Sequence, residues 1–321
     1  MSQRETDVSK LLARLAKVTS IFIAWAMPVA AFSQEAGERI TGQPTDGAIG
    51  FQPSVTTIMD SITAFHNGLL MPIITIIVIF VTGLLIWVML RYNEKSNPKP
   101  ARFTHNTLVE IVWTVVPILI LIVIAIPSFG VLTDQMTTPD GERKYLGSSI
   151  FSRENGEKIP APEVTVTVTG VQWSWTYTYN DLNDATYDSY MLKEDTDGNT
   201  KGRLEWKPNQ PKLLAVDNEL VVPVNTTVRV LVTATDVIHA FAVPAFGIKT
   251  DAVPGRINET WFNARKEGMY YGQCSELCGK DHAFMPIAVR VVSKEEFKAW
   301  SDKLKTEDDV EVANTTLASL N

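Results

Sequence analysis

Two long apolar stretches dominate the hydropathy pattern of the first half of the chain. Residues 69–90 and residues 111–133 contain no charged side chain. Each stretch is long enough to cross a hydrocarbon layer about 30 Å thick as a helix, and a helix that is apolar on every side is not typical of a soluble protein. The pattern therefore predicts a transmembrane hairpin over residues 69–133, with a pair of buried soluble helices as the weaker alternative.

A basic segment and a short apolar run precede these stretches and have the pattern of a secretory signal. The apolar run, residues 18–32, is too short for a membrane-spanning helix, and small residues lie close to Ser33. We therefore expect a cleaved signal peptide over residues 1–33 and an exported segment over residues 34–68. The basic residues of the signal are Arg4, Lys10, Arg14 and Lys17.

The connection between the two apolar stretches is basic, with Arg91, Lys95, Lys99 and Arg102. Loops rich in lysine and arginine stay on the cytoplasmic side of a membrane. We therefore assign the loop 91–110 to the cytoplasm and the chain from Asp134 onward to the outside. The signal peptide predicts the same topology independently.

After the hairpin the pattern changes to alternation at every second residue. Residues 164–179, VTVTVTGVQWSWTYTY, are rich in β-branched and aromatic residues, which is typical of strands. The alternation places Trp175, Tyr177 and Tyr179 in a core. Further short strands follow, and this arrangement favours an antiparallel sandwich or a Greek-key barrel over residues 134–293.

Two segments of the exported part lack this alternation. Residues 181–203 are polar and rich in turn residues, which predicts a loop or a hairpin insertion. Residues 294–321 contain a short amphipathic sequence, EEFKAWSDKL, and then a polar tail. We expect a C-terminal helix followed by a loose tail.

The charge of the chain narrows the classes of partner. The formal net charge is −7 at pH 7. Nucleic acid is disfavoured as a partner because its phosphates require a basic surface. An acidic surface favours a basic protein partner instead, or no charged partner at all.

One short stretch, YYGQCSELCGKDHAFMP at residues 270–286, contains both cysteines of the chain. A disulfide between Cys274 and Cys278 is a simple interpretation for an exported protein, but it would close a very short loop and stabilise little. A helix face is a second interpretation, because the sulfur and imidazole groups recur at helical spacing. The glycines and the proline favour a loop instead, and a disulfide leaves His282 and Met285 unexplained.

A metal site accounts for all of these side chains. Thiolate, imidazole and thioether groups are soft or borderline ligands that select copper, whereas zinc prefers further cysteines or histidines to a methionine. His239, at the end of a predicted strand, supplies a second imidazole. A single blue-copper ion uses one cysteine, so a second thiolate is explained if both sulfurs bridge two coppers. Such a rigid site suits electron transfer and leaves no open position for a substrate.

These motifs resemble those of a known family. GQCSELCGKDHAFMP at residues 272–286 and DVIHAFAVPAFGIKTDAVPGR at residues 236–256 are similar to subunit II of the haem–copper cytochrome c oxidases. The resemblance also covers NPKPARFTHNTLVEIVWTVVP and VQWSWTYTY, and it extends over nearly the whole mature chain that follows the expected signal peptide. It implies a two-helix transmembrane hairpin followed by an all-β cupredoxin-like Greek-key barrel that carries a dinuclear copper centre.

The resemblance implies a role for each residue of this centre. Its two thiolates would bridge the coppers, its imidazoles would be terminal ligands, and its thioether would be axial. The Glu276 side chain would in addition bind magnesium at the boundary with subunit I. The implied copper ligands are Cys274, Cys278, His239, His282, Met285 and the backbone carbonyl of Glu276.

The activity implied by the resemblance belongs to a complex. Electrons would come from cytochrome c and pass through the copper pair to haem, which lies only in subunit I. Oxygen would be reduced to water there, and protons would be pumped across the membrane. The implied partners are cytochrome c, subunit I, subunit III and membrane lipid, and the implied location is a bacterial inner membrane with the C-terminal domain in the periplasm.

Four residues outside the ligand set receive roles from the same resemblance. Trp173 would be an exposed indole at which electrons enter, with a core aromatic as the alternative. Asp217 and Asp236 would belong to an acidic docking patch, although both also fit ordinary turn chemistry. Glu110 would mark the entrance of a proton pathway, with a carboxylate that stabilises a helix N-terminus as the alternative.

At one position of the docking patch the chain differs from some relatives. Thr178 stands where those relatives carry an acid. The remaining histidines, His66 and His105, flank the apolar stretches, and interfacial anchoring explains them without a ligand role. Candidate substitutes for the missing acid are Asp181, Asp184 and Asp188.

Three other functions are compatible with parts of the pattern. They are a copper-free quinol oxidase subunit of the same fold, a copper carrier, and a copper domain that feeds a nitrogen-oxide reductase. The complete set of sulfur and imidazole ligands disfavours the first. A carrier does not need two long spans, and the hairpin disfavours the third.

Overall fold

The computed structural model describes five ranges of the chain, residues 42–99, 101–147, 149–151, 153–192 and 211–307. Residues 44–51 belong to one compact unit, and the other described residues belong to a second. The expected signal peptide lies outside the described residues, as do residues 193–203 of the polar segment, the following residues 204–210 and the tail from residue 308 onward.

Two long apolar helical segments confirm the predicted spans. The first consists of α1 (Thr57–Phe65), a π-helical turn (His66–Leu70) and α2 (Met71–Arg91), and the second is α3 (Thr107–Met136). In their most apolar parts, none of the first segment and 11% of the second is buried within the chain. The core helix of a soluble protein would be mostly buried, so these faces are suited to lipid or to other subunits.

The first segment begins well before residue 69 because its initial turn packs on the β domain. Thr56 is the N-cap residue, and its hydroxyl accepts a hydrogen bond from the Met59 N–H at 3.1 Å. The same hydroxyl donates to the Phe246 carbonyl at 2.7 Å. Ile58 is 2% exposed and belongs to the core of the domain. The start of α1 is therefore fixed by capping and by burial together.

The last turn of α3 is anchored by a buried carboxylate. Asp134 is 2% exposed and accepts hydrogen bonds from Arg153, from Arg143 at 3.2 Å and from the Leu146 N–H at 2.8 Å. The Trp261 indole donates to the Asp134 carbonyl at 2.9 Å. Hydrogen bonds to a charged group contribute about 1.5–3 kcal/mol each, so this cluster ties the helix to the domain.

Twelve strands follow in the described residues, in four sheets. The largest sheet has the order β10-β7-β3-β4-β5, a second has the order β11-β12-β6, and the remaining sheets are the pairs β8-β9 and β1-β2. The strands are β1 (Lys144–Tyr145), β2 (Glu157–Lys158), β3 (Val164–Val171), β4 (Ser174–Tyr179), β5 (Ala185–Ser189), β6 (Leu220–Pro223), β7 (Thr227–Ala234), β8 (His239–Val243), β9 (Ile248–Ala252), β10 (Asn258–Asn263), β11 (Gly268–Gln273) and β12 (Pro286–Val292).

The topology differs from the expectation in two places. The pairs β3–β7 and β6–β12 run parallel, a feature that the predicted antiparallel sandwich or Greek-key barrel did not include. These partners are far apart in sequence, so no local turn determines their direction. The polar segment from residue 181 is a hairpin at its start, because Ala185–Ser189 is the edge strand β5.

The alternating positions behave as predicted. Trp175, Tyr177 and Tyr179 are all 0% exposed, which confirms that they are core residues. The Tyr179 hydroxyl is buried, and it donates a hydrogen bond to the Val221 carbonyl at 2.7 Å, so its polar group has a partner. The predicted C-terminal helix is α4 (Lys294–Glu307), and its Trp300 ring packs edge-on against Tyr179 at 5.2 Å between centroids.

Candidate metal centre

Three connections meet at one end of the β domain. They are the β3–β4 turn with Gln172, the β7–β8 turn with Asp236 and the long β11–β12 loop with Cys278. The Gln172 N–H donates to Asp236 at 2.7 Å, and the Gln172 side-chain amide donates to the Cys278 carbonyl at 2.8 Å. Because each turn is held by the strands beside it, their meeting point is a rigid location for a site.

The β11–β12 loop contains the cysteine motif and is not a helix, apart from one short 3₁₀ turn at His282–Phe284. Gly279 has φ = +124°, a backbone conformation that residues with a Cβ rarely adopt. A Cβ at this position would also come within 3.1 Å of the Trp173 ring. Glycine therefore allows the loop to turn and to approach the indole closely.

The two thiols of the loop lie side by side and are buried. The Sγ atoms of Cys274 and Cys278 are 3.8 Å apart, compared with about 2.05 Å in a disulfide. Both cysteines are free in this structure, which does not support the disulfide interpretation. Their residue exposures are 5% and 3%.

The other predicted donors surround these sulfurs. His239 Nδ1 lies 3.9 Å from Cys274 Sγ, and the Glu276 carbonyl lies 3.3 Å from it. On the other side, His282 Nδ1 and Met285 Sδ both lie 3.5 Å from Cys278 Sγ. The structure thus brings all six predicted copper donors together. They are His239, Cys274, Glu276, Cys278, His282 and Met285.

This donor set fits a soft metal. The donor atoms of His239, Cys274 and Cys278 all lie within 4.8 Å of one another. Two sulfurs 3.8 Å apart can both be about 2.3 Å from one ion, which is a typical metal–thiolate bond length. Two thiolates, two imidazoles and a thioether select copper over hard ions such as magnesium.

Burial controls the protonation of the Cys278 thiol before any metal binds. Burial, together with the neighbouring Cys274, raises the pKa of the Cys278 thiol to about 12. At neutral pH this thiol therefore keeps its proton when no metal is bound. A metal that binds the thiolate must displace the proton, so metal binding is coupled to proton release.

Comparison with known proteins places this site in a family. A model of the transmembrane domain of cytochrome c oxidase subunit II matches residues 44–131, and a model of its periplasmic domain matches residues 164–292. A probable cytochrome c oxidase subunit 2 of Rickettsia bellii is 48% identical over 258 residues, which are 80% of this chain and 84% of that protein. The chain belongs to the cytochrome c oxidase subunit II family.

A second curated relative agrees with this assignment, and the chain is also similar in sequence to one solved domain. Cytochrome c oxidase subunit 2 of Cereibacter sphaeroides is 43% identical over 288 residues, which are 86% of each chain. The solved periplasmic domain of the Bradyrhizobium japonicum subunit II is 54% identical, with a TM-score of 0.41, and the match covers 47% of this chain and 99% of that one. By its family models and curated relatives, the protein is a subunit of cytochrome c oxidase, with two membrane helices and a periplasmic C-terminal domain of cupredoxin-like fold.

In this member of the subunit II family, Trp173 lies against the metal loop. Its side chain is partly buried, and its indole N–H donates to the Cys278 carbonyl at 3.3 Å. Lys280 Nζ lies 5.5 Å from the centre of the ring, within the range of a cation–π contact. The indole is therefore less exposed than expected but adjoins the predicted copper ligands.

The two predicted docking acids have different surroundings. Asp217 accepts hydrogen bonds from the backbone N–H groups of Tyr190 at 2.7 Å and Asn218 at 2.8 Å, which is the predicted turn chemistry. Asp236 accepts from the Val237 N–H at 2.7 Å and lies 2.9 Å from His239 Nε2. Burial alone would raise the pKa of Asp236, but the hydrogen bonds from His239, Val237 and Gln172 lower it overall.

The position without an acid lies on the solvent face of the large sheet. Thr178 forms a hydrogen bond of 2.9 Å with Thr186 across the β4–β5 pair. Three acids lie nearby in sequence and are exposed, and each accepts a hydrogen bond. Asp188 accepts from Thr176, Asp181 from the Thr165 N–H and Asp184 from Asn180.

Glu110 lies at the opposite end of α3 from the periplasmic domain. At 1.5 Å per residue, it is about 36 Å along the helix from Asp134. Its carboxylate accepts a hydrogen bond from the N–H of Asn106, the N-cap residue, at 3.2 Å. The helix-terminus role is thus visible, and the proton-pathway role stays a prediction. His66 and His105 are likewise remote from the sulfur loop in sequence, and His66 pairs with Asn67 at 2.8 Å.

One functional contact was missed by reasoning from the sequence. Asp236 and His239 are three residues apart, and their pairing depends on where β8 begins. Asp236 was interpreted only as a turn residue and a docking acid. The spacing Asp-x-x-His, with a histidine predicted to bind metal, was the available signal, because metal-ligating histidines commonly donate their second ring N–H to a carboxylate.

Proposed function

We propose that this chain is the subunit through which electrons enter cytochrome c oxidase. It accepts electrons from cytochrome c at a dinuclear copper centre, and the electrons continue to haem in subunit I. Oxygen is reduced to water there, coupled to proton pumping. The observation that carries the proposal is the convergence of two imidazoles, a thioether and a backbone carbonyl on a pair of thiols 3.8 Å apart.

The chain's own residues hold, bury and connect this centre. Cys274 and Cys278 would bridge the coppers, which would supply a one-electron relay when bound. Met285 is 1% exposed and His239 is 0% exposed, so water is excluded from one side of the site. Because the loops that carry the donors are tied to each other by hydrogen bonds, the ligands move little when an electron arrives.

The Trp173 indole provides a direct connection from the surface to this centre. Its N–H donates to the carbonyl of Cys278, the same residue whose thiolate would bind copper. A partly exposed ring at this position can contact a docked donor on one side and the ligand shell on the other. We therefore assign the point at which electrons enter to Trp173.

The surface around the centre is suited to partner proteins. Asp217 and Asp236 would attract a lysine-rich cytochrome c, and such steering weakens with ionic strength. Glu276 is exposed, and Leu277 is 78% exposed although it lies between the two cysteines. This part of the loop would face subunit I, where the Glu276 carboxylate would bind magnesium.

The proposed topology follows from charge and hydropathy. Residues 1–33 would be a cleaved signal, the basic loop 91–110 would be cytoplasmic, and the domain from Asp134 onward would be periplasmic. The exposed apolar faces of α2 and α3 would contact lipid, subunit I and subunit III in a bacterial inner membrane.

The metal content of the full-length chain tests this proposal. We expect the chain, purified in detergent and supplied with copper, to bind two coppers, with one unpaired electron that shows hyperfine coupling to both nuclei. Copper analysis and electron paramagnetic resonance measure the two quantities. His105→Ala is the matched control, because His105 lies outside the donor set and should leave both unchanged. Binding of one copper, or preferential binding of zinc, would contradict the proposal.

Replacing Glu110 by glutamine tests the proton pathway separately. We expect turnover of the assembled oxidase to fall by about tenfold, which corresponds to about 1.4 kcal/mol in the barrier. Glutamine keeps the oxygen that accepts from the Asn106 N–H, so α3 should remain capped. The copper spectrum should be unchanged.

The control for Glu110 is Glu94→Gln, in the same cytoplasmic loop. Glu94 is exposed, and its replacement by glutamine changes the net charge of the loop by the same amount as Glu110→Gln does. Oxygen consumption and proton uptake by vesicles that contain the oxidase measure the effect. Equal turnover of the Glu110→Gln and Glu94→Gln enzymes would show that Glu110 does not conduct protons.

A further inference from the structure

The two imidazoles of the centre are held differently. His239 is 0% exposed at the start of β8, whereas His282 is partly exposed in the 3₁₀ turn. His239 directs Nδ1 towards Cys274 Sγ at 3.9 Å and Nε2 towards Asp236 Oδ1 at 2.9 Å. A ring nitrogen binds a metal only through its lone pair, so metal binding by Nδ1 requires the proton to be on Nε2. Asp236 accepts a hydrogen bond from this Nε2–H group, and so it favours the tautomer in which Nδ1 can bind metal.

Asp236 is itself fixed by two backbone groups. Its Oδ1 accepts from the Val237 N–H and its Oδ2 accepts from the Gln172 N–H, both at 2.7 Å. The carboxylate therefore has a defined position and cannot follow the imidazole if the ring moves. A carboxylate held in this way determines the orientation of the ring that donates to it.

Gly170 restricts the same ring from a second direction. A Cβ on Gly170 would lie 2.8 Å from Cδ2 and 2.9 Å from Cγ of His239. Cβ atoms in proteins essentially never approach other heavy atoms this closely. Trp175 lies edge-on to the ring, with centroids 6.0 Å apart. Gly170 is a β3 residue in register with Trp175 of β4 and Ala234 of β7, so the backbone at this position is fixed by both neighbours.

We propose that Gly170 and Asp236 are positioning residues that hold the His239 imidazole in the tautomer and orientation required for copper. The proposal rests on the proposed function, in which His239 is a copper ligand. Gly170 provides the space beside the ring, and Asp236 fixes the far nitrogen. Asp236 thereby acts on the metal centre as well as on the docking surface.

Substitutions of Asp236 test the hydrogen bond. We expect Asp236→Ala to lower the copper affinity of the full-length chain by about 10–100-fold, the usual loss when the partner of a metal-ligating histidine is removed. Asp236→Asn retains an acceptor oxygen and should lose less. Affinity is measured by competition with a chelator, and electron paramagnetic resonance reports the copper hyperfine pattern.

Asp217→Asn is the matched control for Asp236→Asn. Both substitutions remove one charge from the predicted docking patch, and both residues accept from backbone N–H groups. Of the two, Asp236 is the one that lies against His239. We expect Asp217→Asn to leave the copper affinity and the hyperfine pattern at their original values.

Gly170→Ala tests the steric part. The added methyl group should displace the imidazole, lower copper affinity at least as much as Asp236→Ala, and change the hyperfine pattern. Thr169→Ala is its control, because it alters the neighbouring β3 residue, which is not buried. Circular dichroism of the metal-free chains establishes folding. If Gly170→Ala does not fold, the Asp236 variants decide the proposal.

The outcomes separate this proposal from the proposed function. If the unmodified chain does not bind two coppers, the proposed function fails. If it binds two coppers and both Asp236 variants match it in affinity and hyperfine pattern, the positioning role fails while the proposed function stands. Reduced affinity in Asp236→Ala, less reduced in Asp236→Asn and unchanged in Asp217→Asn, supports the positioning role.

Discussion

Replacing Cys278 by serine is expected to abolish the proposed dinuclear copper centre and to reduce the proposed oxidation of cytochrome c by the assembled enzyme to background. Serine preserves the shape of the side chain but replaces a soft thiolate by a hydroxyl, which is a poor ligand for copper. Cys278 Sγ also lies within 3.5 Å of both His282 Nδ1 and Met285 Sδ, so its loss removes the group on which two other donors converge. Copper analysis, electron paramagnetic resonance and turnover measure the result.

Ser275→Ala is the control for this substitution. Ser275 lies in the same loop, and its hydroxyl donates to the Gln273 carbonyl rather than towards the sulfurs. The Ser275→Ala chain should keep two coppers and the shared hyperfine pattern. If Cys278→Ser also kept both, Cys278 would not be a bridging ligand.

Replacing Trp173 by alanine is expected to slow electron transfer from cytochrome c by roughly a hundredfold, the scale of loss caused by displacing a reacting contact by about 1 Å. The copper spectrum should persist, because the Gln172 side chain still donates to the Cys278 carbonyl at 2.8 Å and holds the loop. Trp173→Phe keeps a ring but loses the N–H donor, so its rate should be intermediate. Stopped-flow reduction of the copper centre measures these rates.

The kinetic parameters distinguish electron transfer from docking. Loss of the indole should lower the rate at saturating cytochrome c, whereas loss of a docking acid such as Asp217 should mainly raise KM and reduce the dependence on salt. Phe151→Ala is the control, because Phe151 is another aromatic residue of the periplasmic part and is 74% exposed. If the Trp173→Ala enzyme kept the original rate at saturating cytochrome c, Trp173 would not take part in electron transfer.

These expectations depend on the rigidity of the end of the β domain. Gln172, Asp236 and Cys278 lie on three different connections, and hydrogen bonds join them directly. On the membrane side, the buried Asp134 carboxylate and its arginine partners tie α3 to the same domain. The proposed metal centre thus has a defined position relative to the membrane helices, as the proposed electron transfer to haem in subunit I would require.

Much of the architecture could be read from local patterns in the chain. The uncharged stretches of residues 69–90 and 111–133 predicted the two spans, because a membrane accepts only long continuous apolar helices. Alternation predicted that Trp175, Tyr177 and Tyr179 are buried, because successive side chains of a strand point to opposite faces. The soft donors of residues 274–285 predicted a copper site, because ligand type depends on residue identity and not on the fold.

Other features depended on contacts between segments distant in sequence. The pattern did not predict the parallel pairs β3–β7 and β6–β12, since strand direction across a long connection is not encoded locally. Nor did it predict that Gly170 would face His239, or that Trp173 would donate to the Cys278 carbonyl. Residue types and periodicity thus determined the elements and the donor chemistry. The tertiary structure alone decided which backbone groups and side chains surround the donors, because those neighbours come from strands whose register is set by packing of the whole barrel.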